Sequence, residues 1–164
     1  MVVGITLYFT FFQKGGVDRE ANAHHVIEVM CTYPDTRYFD PGAITYIGEG
    51  VVTTPEEKEK IKAANEKIHQ NWEDAVGSYF APNCFDPCYG MGLTAYLGSA
   101  YGKEQTSTSV KDITLISQEE KAQTFAVAIV VDGVEKQSSI RFRNDENNLF
   151  TFVEIQEMSW NPLT

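Results

Sequence analysis

The chain has 164 residues, 43% hydrophobic and 22% charged, which is enough to bury one domain's core and too apolar for a disordered chain. Its net charge of -10 and pI near 4.7 exclude the cationic surface that nucleic acid or an anionic membrane needs. A basic protein partner remains compatible with that charge.

Residues 1–12 are almost wholly apolar, with Val2, Val3, Ile5, Leu7, Tyr8, Phe9, Phe11 and Phe12. A bilayer span takes about 20 helical residues, so this run is too short to cross alone. No basic residue precedes it, as a signal peptide requires. It fits either the end of a membrane anchor that starts upstream, with Gln13-Lys14-Gly15-Gly16 as the exit, or a β-strand of aromatic and β-branched residues. The anchor implies an extracytoplasmic domain, membrane-anchored or secreted; the strand leaves a cytoplasmic location open. Residues 1–17 are therefore set apart from a single domain over 18–164.

Asp18 can cap a helix over 18–31, on which Ala21, His25, Ile27, Val29 and Met30 share one side. Tyr33-Pro34-Asp35 and Asp40-Pro41-Gly42 read as turns, and residues 43–52 as a loop or brief strand. Thr54, Pro55 and Glu57 then spell a helix start: an N-cap, a proline in the first turn and a capping box. Ile61, Ala64, Ile68, Trp72, Ala75, Val76 and Tyr79 follow at three- and four-residue steps, so one face is apolar. Lys58, Lys60, Lys62, Glu66, Lys67 and Glu73 occupy the other. Pro82 ends this helix.

Residues 83–102 mix glycines with Phe85, Tyr89, Met91, Leu93, Tyr96, Leu97 and Tyr101, and 91–101 reads as a short helix. From Thr106 the pattern becomes strands over 110–116, 123–131, 134–142 and 149–155. The second is apolar on both faces, as a central strand is. Asp132-Gly133 marks a two-residue hairpin. Helices followed by a strand meander give an α+β fold: N-terminal helices, one long and amphipathic, packed on a curved antiparallel sheet of three to five strands.

This order resembles the nuclear-transport-factor-two-like (ketosteroid-isomerase-like, cystatin-like) cone fold. The likeness is carried by the helix ending in Trp72-Glu73-Asp74-Ala75-Val76-Gly77-Ser78-Tyr79-Phe80, the aromatic and glycine-rich connection, and the long strands joined at Asp132-Gly133. It covers about residues 18–157. It implies a pocket between sheet and helix, lined by Tyr79, Phe80, Tyr96 and Phe125, and domains of this type occur behind bacterial membrane anchors. The family has many functions, so the fold alone selects none.

The chemistry-bearing residues are few. Isomerase chemistry needs a base in an apolar pocket and a donor opposite; Asp112 with Tyr79 or Tyr96 is the one arrangement to name. The family's catalytic motif cannot be laid on these positions, so no catalytic residue is assigned. Three cysteines, Cys31, Cys84 and Cys88, leave at least one free thiol and allow one disulfide among them. Cys84-Phe-Asp-Pro-Cys88 has neither redox nor usual zinc spacing. His24 and His25 point about 100° apart on a helix, so no metal site is expected. Neither a G-x-S-x-G elbow nor a phosphate-cradling glycine loop occurs, and no cofactor is expected. The leading expectation is a non-enzymatic accessory or binding domain with a protein partner or a second copy of itself. An acidic inhibitor of a basic partner, and a small-molecule binder or isomerase-like enzyme, are the alternatives.

Overall fold

Tight turns with left-handed residues organise the C-terminal half. In the computed structural model, which describes residues 18–39, 54–94 and 107–158, Asp132 and Gly133 have φ of 51° and 80°. Those values suit a two-residue hairpin whose twist matches its strands, and Val131 and Val134 close the pair. In the next turn the Asp145 carboxylate accepts from the backbone N–H groups of Asn147 and Leu149, while Asn148 takes φ 65°.

The result is one antiparallel sheet of β1 (Thr108–Glu119), β2 (Ala122–Val131), β3 (Val134–Asn144) and β4 (Phe150–Met158), in that spatial order. β1, β2 and β3 contain their expected spans and β1 and β3 continue through polar ends, while β4 starts one residue later than expected and runs three residues further. Irregularities at Val110/Asp112 and Leu115/Ser117 of β1, and at two points between β3 and β4, bend the sheet. One face carries Phe125, Val127, Ile129, Ile140, Phe142, Phe150 and Val153, all buried.

Helices cover that face. α1 (Arg19–Cys31) starts where the Asp18 side chain accepts from the Ala21 N–H. Its buried residues are Ala23, Val26, Ile27, Val29, Met30 and Cys31. Ala21 and His25, expected on the buried side, are exposed. The stripe that wins runs at three- and four-residue steps from Ala23 to Cys31. α2 (Pro55–Val76) begins with the expected capping box between Thr54 and Glu57, and a 3₁₀ turn, Gly77–Tyr79, continues it. Ile68, Trp72 and Val76 are buried in the same core as Phe125 and Phe142. Ile61, Ala64, Ala75 and Tyr79 are half-buried, and the Lys and Glu face is exposed.

The connection after α2 holds a helix the sequence hid. Pro82 and Asn83, the latter at φ 64°, make a turn closed by the Cys84 N–H on the Ala81 carbonyl. α3 (Phe85–Cys88) follows and runs into a π-type turn, Tyr89–Leu93. Pro87 lies in the first turn, where its missing N–H costs no bond. The Ala81 N–H bonds the Phe150 carbonyl, and α3 and its π turn approach β4. Of the helix expected over 91–101, residues 91–93 belong to the π turn and the part from residue 95 on lies outside the described residues, as do 1–17, the turn expected over 40–42, and 43–52.

Candidate functional site

The segment after α1 is drawn into place by α2. Tyr33 exchanges both backbone hydrogen bonds with Thr108, tying the segment to the start of β1. Asp35 then makes a compact turn: its carboxylate accepts from the Arg37 backbone and guanidinium, and its carbonyl from the N–H groups of Tyr38 and Phe39. The hydrogen bond from Arg37 holds the Asp35 carboxyl below the usual carboxylate range. Two neighbours on α2 grip the far end. The Asn71 side-chain amide donates to the Arg37 carbonyl at 2.7 Å, and the Trp72 indole N–H donates to the Tyr38 carbonyl at 2.9 Å. Trp72 is fully buried, so its N–H needs a partner, and the strap supplies it.

α3 and the π turn form the opposite wall. His69 Nε2 lies 2.9 Å from Asp86 Oδ1. The imidazole meets the ring of Tyr89 edge-on at 4.8 Å and that of Phe85 at 5.5 Å. Tyr89 also contacts Trp72, with ring centroids 5.9 Å apart. Burial pushes the Tyr89 phenol above its ordinary pKa, so the hydroxyl stays neutral at physiological pH. These contacts fix the rings on both sides before any ligand arrives.

Between the walls lies a groove of about 750 Å³. Tyr38, Phe39, Ile68, Tyr89 and Gly90 give it apolar surface; Asn65, Glu66, His69, Gln70 and Thr94 give it polar groups. The volume falls in the range of small-molecule sites, as does the mix of rings with a few polar groups. A Cβ added at Gly90 would meet nothing within 4 Å, so the groove is open at that backbone.

None of the described residues expected to line a cone pocket lines the groove above. Phe80 and Phe125 are core residues, the first against Phe85 and Phe150, the second against His24 and Phe142. Tyr79 is half-buried with its ring edge-on to His25. Tyr96 lies outside the described residues. Asp112 is exposed on β1, where the Thr114 hydroxyl donates to it, beside a shallow groove that also touches His24 and Glu28. The structure does not bring Asp112 and Tyr79 into one of the grooves described.

All three cysteines are free thiols. Cys84 and Cys88 lie one helical turn apart, with the Cys88 N–H on the Cys84 carbonyl, which stacks the side chains along the axis without joining them. Cys31 is buried at the end of α1, and burial raises its thiol pKa strongly. Among the described residues no three His, Cys, Asp or Glu side chains converge as metal ligands would. His69 reaches α3 through Asp86 and not through a thiol.

Sequence reasoning missed Tyr38, Phe39, Asp86 and Tyr89 as a set. The available signal was Trp72, a buried indole whose donor had to find an acceptor outside its helix. Comparison with family models, with curated proteins and with solved structures finds no match for this chain.

Proposed function

We propose that this chain is a non-enzymatic binding domain and that the groove between α2, the Tyr38-Phe39 strap and the Tyr89–Leu93 turn is its binding site. The observation that carries this reading is pre-organisation. Rings on both walls are fixed by Trp72, Asn71 and His69, so a ligand would not have to order them on arrival. Binding is favoured over catalysis because, among the described residues, no hydroxyl or thiol is hydrogen-bonded to His69 as a nucleophile would be. The outer face of α2 mixes Lys and Glu, so a concentrated acidic face for a basic partner is not found there.

The cone-fold likeness in element order and the apolar residues 1–12 support an accessory role close to a membrane, outside the cytoplasm. Among the described residues no helix is long and apolar enough to cross a bilayer. The test is a fragment screen read by amide chemical shifts on labelled protein. Groove binders should move Phe39, His69 and Gly90 together, and Gly90→Leu, which fills open space, should abolish those shifts while the fold stays intact. Hits that leave these amides still, or that survive Gly90→Leu, would overturn the assignment.

A further inference from the structure

We infer that the groove selects organic cations: an aromatic or branched aliphatic body bearing an ammonium group. This rests on the groove being the binding site. The fixed charge among its described lining residues is one-signed. Among the described lining residues there is a carboxylate, Glu66, and no Lys or Arg. The Asp86 carboxylate, outside the lining itself, is held to the lining residue His69 and is otherwise largely exposed. The cation that contacts Glu66 is Lys62, at 3.9 Å with both side chains about two-thirds exposed. Such a pair contributes little and yields readily to a ligand.

The neutral groups point the same way. The Gln70 amide nitrogen donates to Asp74 at 2.9 Å and to Glu73 at 3.4 Å. Its donors are occupied, which leaves the amide oxygen as the group able to accept from an ammonium. The walls supply the aromatic rings of Tyr38, Phe39 and Tyr89, and a cation over a ring face is attracted by its quadrupole. Tyr38 already shows this: the Arg37 guanidinium sits 5.0 Å from its ring centroid, with its charge matched by Asp35 at 2.6 Å. The whole chain, at -10, draws cations inward and repels anions. A carboxylate or phosphate ligand would meet Glu66 and no Lys or Arg among the described lining residues, so its charge would have no permanent cation to pair with.

The experiment compares two indoles of similar shape and opposite charge, tryptamine and indole-3-propionate, by amide shift titration at low salt. Tryptamine should bind about tenfold more tightly, the combined effect of one exposed ion pair and one exposed cation–π contact. Glu66→Gln, an exposed and structurally mild change, should shrink that ratio to about threefold or less. Gly90→Leu should abolish binding of both. Equal affinity for the two indoles, both lost in Gly90→Leu, would overturn the charge selectivity while leaving the groove as the site. Shifts absent at Phe39, His69 and Gly90 for both compounds to millimolar concentration, or unchanged by Gly90→Leu, would overturn the groove itself.

Discussion

Trp72→Phe isolates the link between the core and the groove. Trp72 is wholly buried, packs on Tyr38 and Tyr89, and donates through Nε1 to the Tyr38 carbonyl at 2.9 Å. Phenylalanine keeps an aromatic ring in the core and removes the donor. A partly buried carbonyl left unpaired costs about 1–2 kcal/mol. The smaller ring leaves a void; if it has one water's share of liquid, about 30 Å³, it adds roughly 0.7 kcal/mol. The total, about 2–3 kcal/mol, should lower the urea midpoint by about 1 M with an unchanged slope. Asn71→Ala removes the other grip, on the Arg37 carbonyl, and should cost about 1 kcal/mol. Both anchors hold one strap, so the double variant should lose less than the sum, with a coupling of about 0.5 kcal/mol or more. Amide exchange gives the local readout: the Tyr38 and Phe39 N–H groups, bonded to the Asp35 carbonyl, should exchange faster in either variant. An unchanged midpoint in Trp72→Phe, strict additivity in the double variant, or unaltered exchange at Phe39 would refute the claim that α2 positions the strap.

Two further outcomes follow from the titratable groups. The folded pKa of Asp35 is depressed chiefly by its hydrogen bond from Arg37, so its contribution is present above the ordinary carboxylate pKa, about 3.9, and is lost as pH falls through the lower folded value. Asp35→Asn should therefore lower stability near neutrality and flatten its decline in acid, and parallel pH–stability curves for the two proteins would contradict this. Burial raises the thiol pKa of Cys31 and Cys88 and leaves Cys84 partly exposed, so a thiol reagent at neutral pH should label Cys84 first and the others only as the protein unfolds. Rapid labelling of Cys31 in folded protein would show that α1 does not pack as described.

The fold was legible where local rules act alone. Thr54-Pro55 and Glu57 start α2 because capping needs only four consecutive residues, and the stripe from Ile68 to Val76 reports burial whatever covers it. Asp132-Gly133 sets a hairpin for the same reason. Where two rules competed, the reading went astray. The glycines and aromatics of 83–102 hid α3, which starts before those glycines and carries Pro87 in its first turn, where the proline costs no bond. On α1, His25 looked like a core position by spacing, and the stripe through Ala23, Val26, Ile27, Met30 and Cys31 took the core.

The groove was illegible for a different reason. Its parts are Tyr38 and Phe39 from a turn, Glu66 and His69 from α2, and Tyr89 and Gly90 from a connection, so no periodicity joins them. What joins them is hydrogen-bond satisfaction. A buried indole N–H and a half-buried imidazole each had to find an acceptor, and the acceptors lay 34 and 17 residues away. Satisfying the two donors draws the strap and α3 to opposite sides of the same turn of α2, and the space left between them is the groove. The same bonds that answer the core's polar demand therefore shape the surface cavity, which is why one substitution at Trp72 should be felt both in global stability and in ligand affinity.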